Sequence, residues 1–123
     1  MTKIQRFEEL RVWQMARRLA NLIYDLTDQG EFARDFKLRD QIRDAASSVM
    51  HNIAEGFDDG SDGEFIHFLK YSRRSASEVQ SQLYLALDRG YITKEQFQQA
   101  YDRCTETKKA INAFIAYLRR TRK

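Results

Sequence analysis

Proline is absent from this chain of 123 residues, glycine occurs only five times, histidine twice and cysteine once. Each shortage excludes something. Without proline there are no polyproline segments and no proline-punctuated β-sandwich turns, and long uninterrupted helices are favoured. A single cysteine rules out an intramolecular disulfide framework and any zinc site built on several thiolates. No stretch approaches eighteen apolar residues, and the opening MTKIQRFEELRVW has no apolar core, so neither a secretory leader nor a membrane span is expected. These features suit a cytoplasmic protein. What is present in quantity is hydrophobic residues at 42% and aromatics at 12%, enough for one well-packed core. Charged residues reach 32%, above the usual quarter. The length fits one domain over residues 1–123.

Apolar positions recur at helical spacing. Val12, Met15/Ala16, Leu19, Ile23 and Leu26 form one stripe, and Leu38, Ile42, Ala45, Val49 and Ile53 a second. Phe65, Phe68/Leu69, Ser72, Ala76, Val79, Leu83 and Ala86 form a third. Phe97, Tyr101, Cys104, Lys108, Ile111, Ile115 and Leu118 form a fourth, broken only by Lys108. Strand-like alternation is absent. Gln29-Gly30 ends the first helix, and residues 31–37 read as a short connection. Gly56 reads as the residue just past the end of the second helix. Ser61 or Asp62 is placed to cap the third, and Arg89-Gly90 ends it. Thr93 with Gln96 forms a capping box that opens the fourth. Short connections between long amphipathic helices predict an all-α, antiparallel up-down-up-down four-helix bundle, with helices over about 8–28, 37–55, 62–89 and 94–120.

Charge is sorted unevenly. Residues 55–64 hold five acids and no base, whereas residues 91–123 hold eight bases and three acids. The formal total of +3 therefore hides an acidic loop and a basic C-terminal helix. In an up-down bundle the two share one end, where they can partly neutralise each other.

If the second and third helices fold back about Gly60, residues whose numbers sum to about 120 face each other. Ala45, Ala46, Ser47 and Ser48 then oppose Ser72, Ser75, Ala76 and Ser77, a small-residue seam that permits close approach. The hydroxyls are expected to bond to their own helix carbonyls. Asn52 is expected to be half-buried, with partners from the loop backbone or the third helix. Glu78 is expected to form a structural ion pair with Arg39 or Arg43, fixing register more than adding stability.

The run Asn52-Ile53-Ala54-Glu55-Gly56-Phe57, then Glu64-Phe65-Ile66, Phe68-Leu69 and Ser75 with Glu78, resembles the 23S rRNA intervening-sequence (S23-type) family. Phe7-x-x-Leu10-x-Val12-Trp13-Gln14-x-Ala16 and Leu38-Arg39-x-Gln41-Ile42-x-x-Ala45 match its other blocks in order and spacing. The resemblance implies a bacterial-type four-helix bundle, usually a homo-oligomer and expected as a pentamer, with no catalytic activity. A more distant resemblance, to the accessory proteins of diversity-generating retroelements, implies a basic pentameric bundle that binds nucleic acid and a reverse transcriptase. Two departures stand out. Met50 occupies a place where the family often has proline, and Asp58 and Asp59 stand where it often has a basic residue.

Candidate sites are few. Asp58-x-Gly60-x-Asp62-Gly63 looks like the start of an EF-hand, but Leu69 stands where the twelfth-position glutamate is required. Glu64-x-x-His67, with His51 and Glu55 on the neighbouring helix, offers at most a mononuclear metal set, and partly packed histidines are the simpler reading. Neither reading leads to a metal or cofactor. Cys104 lies in an apolar seam and reads as a small hydrophobe. No nucleophile–base constellation suggests an enzyme. Lys108, Lys109, Arg119, Arg120, Arg122 and Lys123 are the candidate phosphate contacts, with no aromatic platform interleaved for base stacking. Asn52, Glu55, Gly56, Ser75, Glu78, Arg39 and Arg43, the motif residues, read as structural. Tyr24, Tyr71, Tyr84 and Tyr117 fall off the stripes, which favours subunit interfaces. The expectation is a non-enzymatic homo-oligomer that binds RNA or DNA, or alternatively a scaffold that docks a partner protein.

Overall fold

The computed structural model describes residues 3–121. A 3-10 turn at Phe7–Glu9 leads into α1 (Arg11–Thr27), a short α2 (Gly30–Arg34), and three long helices, α3 (Phe36–Asp59), α4 (Asp62–Asp88) and α5 (Lys94–Thr121). The four long helices form a closed square: α1 packs on α3, α3 on α4, α4 on α5, and α5 returns to α1. Their stripes meet in one apolar core, with Leu19, Ile23, Ile42, Val49, Ile53, Leu69, Val79, Leu83 and Ile111 fully buried. None of the described helices is long and apolar enough to cross a membrane.

The caps follow side-chain chemistry. Ser61 Oγ accepts from the Glu64 N–H at 3.2 Å. Thr93 Oγ1 accepts from the Gln96 N–H at 3.0 Å while the Gln96 side chain accepts from the Thr93 N–H at 2.9 Å, completing the expected capping box. Gly90, at φ 75°, ends α4.

Four local expectations are corrected. Residues 31–37 are not a plain connection: α2 forms there because Phe32 has a core site, fully buried and stacked 5.3 Å from Tyr91. Gly56 does not stop a helix, since α3 continues to Asp59 and Gly60, at φ 92°, is the left-handed residue that ends it. Gly56 is instead buried inside the helix, where a Cβ would lie 2.7 Å from Phe68 Cβ and 2.9 Å from Phe65 Cδ1. The acidic loop is therefore mostly helix. Asp58 and Asp59 sit at the C-terminal end of α3, where the helix dipole disfavours them, while Asp62 and Glu64 occupy the favoured first turn of α4. In α5 the buried positions are Ala100 and Thr107 instead of Tyr101 and Lys108, so the apparent break in the stripe is a neighbouring residue facing outward.

Candidate nucleic-acid interface

Helical phase places the cations. Lys70, Arg73, Arg74 and Ser77 stand along one side of α4, and Lys108 and Asn112 rise opposite them from α5. Together they enclose an open groove of about 340 Å³ whose lining contains four bases and no carboxylate. The walls are cross-tied. Arg73 Nη1 donates to Asn112 Oδ1 at 2.6 Å, and Lys108 Nζ donates to Ser77 Oγ at 3.1 Å. An ammonium has three donors and a guanidinium five, so both cations keep donors free for a ligand. Arg74 also reaches the other flank of α4, where its guanidinium lies 5.3 Å from the centre of the Tyr71 ring.

Arg119 lies three turns beyond Lys108 on the same side of α5, about 16 Å along the axis. The α4–α5 pairing brings it level with the His67 turn, so the basic strip continues toward the end of the bundle. Lys109 and Arg120 stand on the adjoining exposed side. Arg122 and Lys123 lie outside the described residues. A second groove, between α1 and α5, gathers Arg11, Arg18 and Arg103 with Glu106. The bundle is thus polar across its width. α1 carries Arg11, Arg17 and Arg18 against Asp25, and α5 carries six bases against three acids, whereas α3 carries five acids against three bases.

Sequence reasoning named Lys108, which lines the groove, and the C-terminal arginines, of which Arg119 and Arg120 do not, and it passed over Lys70, Arg73 and Arg74. Their signal was the spacing i, i+3, i+4 beside the apolar stripe of α4. It was unreadable without knowing which helix lies next to that side. The absence of an aromatic platform holds for the terminal segment; on α4 the Tyr71 ring, which does not line the groove, lies against the groove residue Arg74 on the other flank of the helix.

The motif residues take up the α3–α4 seam. Ser72 Oγ donates to the Val49 carbonyl at 2.6 Å, and Ser75 Oγ donates to Ser48 Oγ at 3.1 Å. These hydroxyls bond across the seam, correcting the expectation that each returns to its own helix, because the glycine and serine contacts bring the backbones close enough. Asn52 is half-buried as expected, but its Nδ2 is satisfied within its own helix, by the Ser48 carbonyl and hydroxyl, both at 2.8 Å. Glu55 is exposed.

The ion pair between Glu78 and Arg39 or Arg43 does not form. Arg43 turns toward α1, where its Nε donates to Thr27 Oγ1 at 2.8 Å and its guanidinium lies 4.6 Å from the Tyr24 ring centre. Arg39 binds Asp40 at 2.9 Å and the Ala33 carbonyl at 3.1 Å. Glu78 faces outward and accepts only a long 3.4 Å contact from Gln82. The level along α3 and α4 was right, but the faces differ.

The acidic and basic ends meet as expected in position. Gly60, Ser61 and Asp62 share a mainly apolar hollow with Phe114, Tyr117 and Leu118. No ion pair joins them among the described residues. Nor do three His, Cys, Asp or Glu side chains converge on a metal-sized site there. His67 Nε2 is engaged by the Tyr71 hydroxyl at 2.7 Å. Cys104 is fully buried, and that burial pushes its thiol pKa up to about 12.

Fold and site together define an antiparallel four-helix bundle with a basic strip along one helix pair. The model of the 23S rRNA-intervening sequence protein family matches residues 8–113, and the chain belongs to that family. Its fold is similar to that of a crystal structure from Bacteroides thetaiotaomicron, a protein of unknown function in the S23 ribosomal protein family. The two are 26% identical with a TM-score of 0.77, over 85% of this chain and 97% of the other. No curated protein matches the chain.

Proposed function

We propose that the protein is a non-enzymatic nucleic-acid-binding module, RNA or DNA being its ligand, which works as a homo-oligomeric ring. The observation that carries this reading is the α4–α5 groove, four cations with no carboxylate, continued by Arg119. Phosphates are the ligand such a strip fits, and repetition of the strip around a ring multiplies a modest field by avidity. Exposed aromatic and aliphatic side chains support assembly: Phe36, Tyr24, Tyr84, Leu85 and Tyr117 are all at least two-fifths exposed. A ring of five is the expected stoichiometry, and a cytoplasmic location fits the single, unpaired cysteine.

Binding is tested by titrating short labelled RNA and DNA over a range of salt. The affinity should fall with salt. Lys108→Ala should lower the slope of log K against log salt by about 0.7 for each single-strand phosphate it no longer neutralises. The triple change Arg119→Ala, Arg120→Ala and Arg122→Ala should weaken binding further. Absence of binding at low salt overturns the reading. A monomeric native mass overturns the ring.

One observation favours a second reading. Tyr84 and Leu85, both about half exposed, stand about two turns beyond Ser77 on α4, with Tyr84 packed on Phe97 and Tyr101 of α5, and offer an apolar patch to a partner protein. Co-purification of one polypeptide that survives nuclease treatment distinguishes that scaffold role.

A further inference from the structure

We propose that the α4–α5 groove receives a single-stranded segment, with one phosphate among Lys70, Arg73 and Lys108 and an adjoining unpaired base stacked on the Arg74–Tyr71 pair. The proposal deepens the nucleic-acid reading above and rests on it.

The phosphate half follows from the groove. Arg73 and Lys108 are each held toward it by one neutral partner, Asn112 and Ser77, and keep their full charge and remaining donors. Lys70 stands beside them with no hydrogen-bond partner among the described residues. The base half follows from Arg74, which belongs to both environments. It lines the groove, and its guanidinium lies over Tyr71 on the opposite flank of α4. Tyr71 is 38% exposed, yet its ring is fixed. Its hydroxyl meets His67 Nε2 at 2.7 Å, and the two rings pack edge to face at 4.6 Å. Phe68 adds a second edge contact at 6.3 Å. A tyrosine ring already held by these contacts loses little rotamer freedom when a base settles against it and the neighbouring guanidinium.

Bases stack on tyrosine rings and on guanidinium planes when their faces are free. In a duplex those faces are covered by neighbouring base pairs. A duplex can therefore use the cations but not the platform, and preference for an unpaired strand is the property that separates this site from a simple phosphate patch.

The test is a set of anisotropy titrations at one low salt concentration, with a short single strand, the duplex of the same sequence, and the same single strand made abasic. The single strand should bind about five-fold or more tighter than the duplex, and the abasic strand should lose that advantage on the wild-type protein. Tyr71→Ala should weaken the intact single strand by about five-fold or more while leaving the duplex within about two-fold. Equal binding of all three, with Lys108→Ala weakening each alike, overturns the platform and leaves the phosphate-binding function standing. No binding of any overturns both. A free nucleoside monophosphate that binds as tightly as the strand overturns the strand and indicates a nucleotide site.

Discussion

The Tyr91 hydroxyl donates to Asp35 Oδ2 at 2.9 Å, joining two residues 56 positions apart. The other carboxylate oxygen, Oδ1, accepts from the Leu38 N–H at 3.1 Å and caps α3. One side chain thus ties the α4–α5 connection to the start of α3, next to the stacked rings of Phe32 and Tyr91.

That geometry has a pH signature. The Leu38 N–H and then the Tyr91 hydroxyl hold the Asp35 carboxyl below its ordinary value of 3.8. A depressed folded-state pKa contributes stability that is present above the unfolded value and lost as pH falls through the folded one. Asp35→Asn should therefore lower the urea midpoint at pH 7, and the gap to wild type should narrow as pH drops below about 4. A gap that stays constant down to pH 2 would refute the assignment.

Gly56 is required by its neighbours and not by its backbone angle. Alanine there gains about 1 kcal/mol of helix propensity but drives a methyl into Phe68 Cβ, which cannot swing away. The overpacking, about 1–3 kcal/mol, wins. Gly56→Ala should lower the melting temperature by several degrees, whereas an unchanged or raised value contradicts the close approach.

Arg43 and Glu78 should behave independently. Arg43→Ala removes a charged donor from the buried Thr27 hydroxyl and should cost about 1.5–3 kcal/mol in chemical denaturation. Glu78→Ala should stay within about 0.5 kcal/mol. A double-mutant cycle showing coupling well above that level would restore the ion pair.

Cys104 should not react with thiol reagents at neutral pH until the bundle unfolds, because its thiolate fraction is negligible with the pKa near 12 and its sulfur is fully covered. The labelling rate should track global unfolding across a denaturant series. Rapid modification of native protein would place the residue at the surface.

The bundle was legible because each long helix repeats an apolar stripe, and because the breaks carry recognisable chemistry: Ser61, Gly90, Thr93 and Gln96 all cap or end helices where expected. The seam was legible too, since the pairing of Ser48 with Ser75 differs by only a few residues from the register expected by folding about Gly60. Direction around the axis was less accessible. Arg43 and Glu78 lie at the same level, but a stripe does not say which of two neighbouring helices a boundary residue will face. The same ambiguity hid Lys70, Arg73 and Arg74, which line a groove only when α5 is placed beside them. Phe32 was hidden for another reason: a five-residue helix is too short to show a period.

Four amphipathic helices, their order and most of their ends follow from local periodicity and capping chemistry, and the family follows from motif blocks such as Asn52–Phe57. Packing of the whole bundle was needed to make Gly56 a contact point, to leave the core to Thr107 in place of Lys108, and to bring cations from α4 and α5 into one groove, with Tyr71 reached from it through Arg74. Those outcomes depend on the rotation of each helix against its neighbours, which is set by packing over the whole core and not by any one segment.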